Sequence, residues 1–304
     1  MKVSTVVAAY NAEHTIEQTV DSALAQRCRD HEIVVVNDGS TDTTATILEK
    51  YRGQIRIVDQ TNQGAAAARN AGVAQARGRY IAFLDSDDLW LPGKLKTMVA
   101  EIEQNPRASL AFSEYSSFTD TGVQYGNSSL GHAPSMSELM ETSLPPILTS
   151  TWVLPKEKFE QSGGFCRDFR GGQGFEDSWL LLILREFGEF VYIPKVLTRY
   201  RIHENVENAD KYDHALSTFT SLARARYGRK GKALVRNAKD LQCRFLRSKV
   251  AHQMDRGERL AALLSLVRIA KLRPAYFLGP EFSGRLRLAQ NTKRALQLVS
   301  GHKR

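Results

Sequence analysis

Closely spaced carboxylates are the residues of this 304-residue chain most suited to chemistry. Asp85 and Asp87 follow the apolar segment Tyr80 to Leu84. In an extended segment, residues two apart point the same way. Paired carboxylates suit Mg²⁺ or Mn²⁺, which commonly bind substrate phosphates as well. The tetrapeptide Asp85 to Asp88 is also ordinary turn and capping chemistry, so both interpretations stay open on these residues alone.

A second acidic pair, Glu176 and Asp177, stands at the predicted start of a helix. A carboxylate placed there could accept the proton of an attacking hydroxyl group. The same two side chains could instead stabilise the positive end of the helix dipole. The pair is therefore a candidate for general base catalysis with a structural alternative beside it.

The elements that must position these residues are predicted by hydrophobic patterning. Short β-branched runs alternate with helical patterns over the first hundred residues, which predicts a mostly parallel sheet flanked by helices. The predicted strands are 3–9, 33–36, 55–58 and 80–84, and the predicted helices include 13–26 and an alanine-rich helix that ends near Gly78. Ligands bind at the carboxyl ends of such strands. Tyr10, Asp38 and Asp85 all follow strands, so we expect them at one edge.

The second part of the chain has weaker patterns. We predict a helix over 92–104, a strand near 109–112, a surface loop over 119–134 and a strand near 149–154. A glycine-rich segment from Gly163 to Gly174 precedes the helix that begins at Glu176 or Asp177. After about Asn205 the chain is helical and basic.

Four segments of the chain, taken in their order, are similar to the motifs of a known enzyme family. They are Ser4 to Asn11, Val34 to Asp42, Asn62 to Gly72 and Phe83 to Asp88. In this order they resemble the motifs of the inverting family-two glycosyltransferases. The resemblance implies a GT-A fold of the α/β class and a nucleotide-diphosphate sugar as donor.

The resemblance also implies roles for individual residues of the donor half. Asp38 would bind the base, Asp85 the ribose, and Arg69 would lie near the nucleotide or its phosphates. The implied nucleotide-binding residues are Ala9, Tyr10, Glu13, Asp38, Arg69, Asp85 and Ser86, and the implied ligands of Mn²⁺ or Mg²⁺ are Asp87 and His203. Taken singly, Asp38 could cap a turn, Glu13 could be a helix-start charge, and Arg69 could lie on a solvated helix face.

In the acceptor half, Gly163-Gly164-Phe165 and Gly174-Phe175-Glu176-Asp177 extend the resemblance. It implies that Asp177 is the catalytic base, with Glu176 beside it. Trp152, Gly164 and Phe165 are weaker candidates for acceptor binding. Trp152 and Trp179 could equally fill the core.

The charge divides the chain in two. Residues 1–204 carry 20 basic and 26 acidic side chains, whereas residues 205–304 carry 22 and 7, giving net charges of −6 and +15. We expect a GT-A domain over 1–204, with a nucleotide-sugar half at 1–104 and an acceptor half at 105–204, followed by a basic helical region. That region could bind an anionic membrane surface or pack on the catalytic domain. No recognisable nucleic-acid-binding module is present, so no nucleic acid partner is expected.

Composition limits the location of the protein. We find no secretory signal pattern and no run of about 18 apolar residues, and three scattered cysteines predict neither a disulfide framework nor a zinc site. We expect a cytoplasmic protein, peripheral on the inner face of the cytoplasmic membrane. The expected activity is metal-dependent, inverting transfer of one sugar, from a UDP-sugar to a lipid-linked or cell-envelope glycan. A nucleotidyltransferase and a non-catalytic nucleotide-sugar-binding protein are the alternatives.

Overall fold

The computed structural model describes residues 2–28, 30–122, 124–128, 130–141, 147–169, 175–202 and 212–273. Its strands are β1 Val3–Ala9, β2 His31–Asp38, β3 Arg56–Gln60, β4 Tyr80–Asp85, β5 Leu89–Trp90, β6 Ala108–Phe118, β7 Gln124–Ser128, β8 Trp152–Pro155 and β9 Glu189–Arg201. Its helices are α1 Ile16–Leu24, α2 Thr44–Glu49, α3 Ala65–Gln75, α4 Lys94–Glu103, α5 Met136–Glu141, α6 Lys156–Gln161, α7 Phe175–Phe187, α8 Tyr212–Tyr227, α9 Gly231–Asp255 and α10 Arg259–Leu272. A 3₁₀ turn at Thr149–Thr151 precedes β8.

The described strands form a nine-stranded sheet in the order β3-β2-β1-β4-β8-β6-β9-β5, with β7 paired to β6. The first four of these run parallel, as do β6 and β9. The other pairs are antiparallel, including those that β8 makes with β4 and β6. The predicted α/β fold with flanking helices is confirmed, although the sheet as a whole is mixed rather than mostly parallel.

The parallel half forms where the apolar pattern is strongest. The spacing of Ile16, Val20 and Leu24 predicts one apolar face on α1, and in the structure Ile16 and Val20 are buried together with Ala23, whereas Leu24 is only partly buried. On α3, Gly72 allows a close approach to β1, because a Cβ atom there would lie 2.3 Å from Cγ1 of Val6. Small residues on α3 therefore bring that helix onto the sheet, and Arg69 lies on the same helix.

The second half of the sheet differs from the sequence prediction. β6 is longer than the predicted strand, and β9 was not predicted. The two pair with three register shifts along their length, which blur the two-residue alternation. The segment predicted as a loop over 119–134 contains β7, a polar strand that pairs with β6. The predicted glycine-rich residues 171–174 lie outside the described residues.

The chain divides into two compact units. Among the described residues, the larger holds the sheet, its helices and the chain up to Asn237, so α8 lies with it although α8 follows the predicted boundary at residue 204. The smaller runs from Ala238 and contains most of α9 and α10, which confirms the expected helical C-terminal region. None of the helices in the described ranges is long and apolar enough to span a bilayer.

Candidate active site

The acidic loop, Asp85–Asp88, follows β4 and is held by neighbouring elements. Ser150 Oγ accepts a hydrogen bond from Asp85 N at 3.0 Å. Thr15 Oγ1, just before α1, donates to the Ser86 carbonyl at 2.8 Å. These bonds define the path of the loop backbone while the side chains of Asp85, Ser86 and Asp87 stay partly exposed.

Arg69 of α3 lies at the centre of a carboxylate cluster. Its Nη2 lies 2.6 Å from Asp85 Oδ1, and its Nη1 lies 3.3 Å from Asp177 Oδ1 and 3.8 Å from Glu176 Oε1. The guanidinium also lies over the Phe165 ring, 5.2 Å from its centre. One buried cation therefore joins the acidic loop to the two acids at the start of α7.

Burial raises the pKa of both acids on α7. The pKa of Glu176 rises to about 8, mainly because the group is desolvated and then because Asp177 is adjacent. Burial also raises the pKa of Asp177, while the Arg69 guanidinium acts in the opposite direction. Burial therefore favours the protonated form of Glu176 near neutral pH, while the Arg69 guanidinium favours the ionised form of Asp177. The Asp177 side chain keeps 22% of its surface exposed, so a ligand can reach it.

Asp38 at the end of β2 is engaged by the start of α3. Its carboxylate accepts hydrogen bonds from Gln60 Nε2 at 2.6 Å, Gln63 N at 2.9 Å and Gly64 N at 2.8 Å. The residue is only 2% exposed. These contacts fit the turn-capping alternative, and a contact between Asp38 and a nucleotide base stays a prediction.

The loops after β1 and β2 are joined by reciprocal hydrogen bonds. Glu13 Oε2 accepts from Thr43 N at 3.0 Å and from Thr43 Oγ1 at 2.7 Å, and these bonds lower the pKa of Glu13. Asp42 Oδ2 in turn accepts from Glu13 N at 3.1 Å. Ala9 is buried, whereas Tyr10 is 50% exposed and its ring is open to a ligand. The nucleotide-binding roles of these residues stay predictions.

Asn70, next to Arg69, makes two hydrogen bonds to the backbone of Phe165, which follows the turn Gly163-Gly164. We call this pair of hydrogen bonds the Asn70 clamp. Asn70 Oδ1 accepts from Phe165 N at 2.9 Å and Asn70 Nδ2 donates to the Phe165 carbonyl at 2.8 Å. Gly164 has φ +72°, and a Cβ atom there would lie 2.7 Å from Asn70 Oδ1. Glycine is therefore required at this position for two reasons. The backbone has a positive φ, and a side chain would displace Asn70 from its hydrogen bonds.

We expect Gly164→Ala to lower the free energy of unfolding by about 2–3 kcal/mol, from left-handed backbone strain and the displaced Asn70 clamp. Gly163→Ala is the matched control, because Gly163 has φ +81° and open space around its Cβ position. It should cost only the backbone part, about 1 kcal/mol. Urea unfolding of the two variants measures the difference, and equal losses would show that the clamp contributes nothing.

The aromatic residues proposed for the acceptor lie in the core. Trp152 is 0% and Phe165 1% exposed, and their rings stack with centroids 6.2 Å apart. Phe83 packs edge-on against both. Burial of both rings fits the alternative that Trp152 fills the core, and an acceptor role for Trp152 or Phe165 stays a prediction. An acceptor role for Gly164 stays a prediction.

Several supporting residues were not found from the sequence. His203, a predicted metal ligand, lies outside the described residues, but Arg201 two positions earlier bonds to the acidic loop. Lys94 is fully buried, and burial lowers the pKa of its amine, which bonds the Thr151 carbonyl at 3.2 Å. Asn70 lies inside the motif segment Asn62 to Gly72, and Arg201 lies in the basic segment Tyr200 to His203 that includes the predicted metal ligand, but the sequence assigned neither of them a role.

Comparison with known proteins finds similarity to glycosyltransferases. The family model described as glycosyl transferase family 2 matches residues 4–161. The putative teichuronic acid biosynthesis glycosyltransferase TuaG of Bacillus subtilis is 32% identical over 222 residues, which cover 71% of this chain and 85% of TuaG. The Escherichia coli enzyme WfaP, a UDP-Glc:alpha-D-GlcNAc-diphosphoundecaprenol beta-1,3-glucosyltransferase, is 41% identical over 126 residues, or 40% of this chain and 50% of WfaP.

Solved structures agree on the fold. Staphylococcus aureus TarS, residues 1–349 in complex with UDP-GlcNAc, superposes with a TM-score of 0.59 at 19% identity, covering 90% of this chain and 81% of that one. At this identity the likeness supports the fold alone. The chain spans about half the length of WfaP. On the family model and the match to TuaG, the chain belongs to glycosyl transferase family 2, and the predicted glycosyltransferase class is confirmed.

Proposed function

We propose that the chain transfers one sugar from a UDP-sugar to a hydroxyl of a lipid-linked or cell-envelope glycan, with inversion at the anomeric carbon. The observation that carries the proposal is the Arg69 cluster. It places a partly exposed carboxylate, Asp177, on the same guanidinium as Asp85 at the ligand-binding edge of the sheet. A base beside a donor site is what sugar transfer requires.

In this mechanism Asp177 takes the proton of the acceptor hydroxyl. The acceptor oxygen bonds to the anomeric carbon while the bond from that carbon to the diphosphate oxygen breaks. The diphosphate leaves with the electron pair, and attack from the opposite face inverts the configuration. The raised pKa of Asp177 favours proton acceptance, while the Arg69 guanidinium acts in the opposite direction and favours the ionised form.

The proposal includes a divalent cation, for which Asp87 and His203 are the proposed ligands. The Asp85 carboxylate pairs with Arg69. In the part of the chain that the structure describes, no three acidic, histidine or cysteine side chains converge on one point. Mg²⁺ commonly uses only one or two carboxylates together with substrate phosphates. Such an ion would supply positive charge to the departing diphosphate.

The donor and acceptor classes are proposed from the relatives. WfaP is named for UDP-glucose and a diphosphoundecaprenol-linked acceptor, TuaG for teichuronic acid, and TarS was solved with UDP-GlcNAc. Family membership favours sugar transfer over nucleotidyl transfer or non-catalytic binding.

We extend the proposal to attachment at the inner face of the cytoplasmic membrane. In the smaller unit, Leu260 and Leu264 lie one turn apart on α10 and are 72% and 63% exposed. The last hundred residues carry a net charge of +15. Exposed leucines beside basic residues suit an anionic lipid surface, the surface in which a lipid-linked acceptor would be anchored.

A thermal-shift screen of nucleotides and nucleotide sugars, with and without Mn²⁺, tests the donor class. Ligands that bind only the native state stabilise it, by about 2.7 kcal/mol at one hundred times Kd. We expect UDP and UDP-sugars to raise the melting temperature, more so with Mn²⁺, and Asp87→Ala to lose the Mn²⁺-dependent part. A larger shift with another nucleotide would refute the UDP assignment, and no shift with any nucleotide would refute donor binding.

A further inference from the structure

Arg201, the last residue of β9, binds the acidic loop through its backbone and its side chain. Its backbone N donates to Asp88 Oδ1 at 2.9 Å, and its Nε donates to the Asp87 carbonyl at 2.8 Å. Its Nη2 donates to Gln18 Oε1 at 3.0 Å, and its Nη1 pairs with Asp120. Arg201 is 2% exposed, so its bonds to the acidic loop form away from bulk water, whereas Asp120 is an exposed partner.

The guanidinium is also fixed in orientation by packing. It lies over the Phe118 ring, 4.6 Å from the ring centre, and Ile202 N donates to the Phe118 carbonyl at 2.8 Å. A planar guanidinium presents its donors in a fixed fork, which the single ammonium group of lysine cannot reproduce. The contacts of Arg201 therefore require arginine rather than positive charge alone.

The bond to Asp87 complements the other supports of the acidic loop. Thr15 holds the Ser86 carbonyl, and Thr19 Oγ1 donates to the Asp88 carbonyl at 3.0 Å. Arg201 holds the carbonyl between them. Because a carbonyl and its Cα share one peptide plane, fixing the Asp87 carbonyl restricts the directions in which its side chain can point.

We propose that Arg201 is a positioning residue for donor binding, which orients Asp87 by holding its backbone carbonyl and so sets the affinity for the nucleoside diphosphate. The inference rests on the proposed function, since it takes the acidic loop as part of the donor site. Because Arg201 is buried, we expect it to act on donor binding through the loop and not by direct contact.

Isothermal titration of UDP in the presence of Mn²⁺ tests this with Arg201→Lys. Loss of the hydrogen bonds to the loop should weaken UDP binding about tenfold. Arg199→Lys is the matched control. Arg199 lies on the same strand and stacks on the same Phe118 ring at 4.4 Å, yet it is only half-buried and makes no hydrogen bond to the acidic loop. The control should change UDP affinity less than twofold.

Steady-state kinetics separate positioning from general destabilisation. We expect Arg201→Lys to raise KM for the donor and to leave KM for the acceptor unchanged. If Arg201→Lys does not fold, Asp120→Ala removes an exposed partner of the same guanidinium and should still weaken UDP binding about threefold.

The inference about Arg201 and the proposed function would be contradicted by different results. Unchanged UDP affinity in a folded Arg201→Lys protein, or in Asp120→Ala where that variant replaces it, would overturn the inference and leave the proposed function standing. Unchanged UDP affinity in Asp87→Ala would count against the donor site itself.

Discussion

Asp177→Asn should lower the rate of sugar transfer about a thousandfold, within the range for loss of a general base. The amide has nearly the shape of the carboxylate but cannot accept the acceptor's proton. UDP affinity should change little, because Asp177 is the proposed base and is not among the proposed nucleotide-binding residues. Initial rates with saturating donor, together with UDP titration, measure both quantities.

Folding should survive this substitution. Asp177→Asn removes a charge that raises the pKa of its neighbour Glu176, so Glu176 can ionise more readily beside Arg69. Glu176→Gln is the control, because burial favours the protonated form of Glu176 near neutral pH and Glu176 is not the proposed base. It should retain most activity. If Asp177→Asn were folded and transferred sugar at the wild-type rate, the base would have to be another group.

Arg69→Met should lower the free energy of unfolding by about 3–5 kcal/mol, because it leaves the largely buried acids Glu176 and Asp177 without their shared cation. Arg52→Met is the matched control. The ion pair from Arg52 to Glu49 has the same 2.6 Å distance as the pair from Arg69 to Asp85, but the Arg52 side chain is 74% exposed and that of Arg69 only 8%. The surface pair should contribute no more than about 1 kcal/mol.

The loss in Arg69→Met should depend on pH with a defined sign. Burial already holds the folded-state pKa values of Asp177 and Glu176 above their unfolded values, and removing the cation raises them further. The folded variant then binds protons that the unfolded chain has released, so its stability falls as pH rises. Urea unfolding at pH 5 and pH 8.5 should show the larger deficit at pH 8.5. A deficit independent of pH would mean that lost packing on Phe165, rather than charge, dominates.

The first half of the fold was predictable because its elements bury continuous apolar faces. β1 was predicted at its observed bounds, Val3–Ala9, and β4 to within one residue. A parallel strand covered on both faces needs an uninterrupted apolar run, and such runs are visible in sequence. The sequence also indicated that Asp38 and Asp85 follow strands, and pairing of β1 with β2 and β4 brings those strand ends to one edge.

The second half was not predictable to the same degree. β7 has no apolar alternation and is a strand because β6 offers it backbone partners. β9 carries Pro194 and Lys195 in its middle, both exposed, and its register shifts against β6 interrupt a regular pattern. Such strands form by pairing with segments distant in sequence, and local propensity carries no information about that pairing.

The amino-acid sequence alone determined the family motifs, the parallel half of the sheet and the identity of the acidic residues, because local pattern and residue type carry that information. Only the tertiary structure decided which of these side chains lie in contact. Arg69 pairs with Asp177 across 108 positions, and Arg201 reaches Asp87 across 114. Burial, which raises the pKa values of Glu176 and Asp177, likewise arises only when distant segments pack and exclude water.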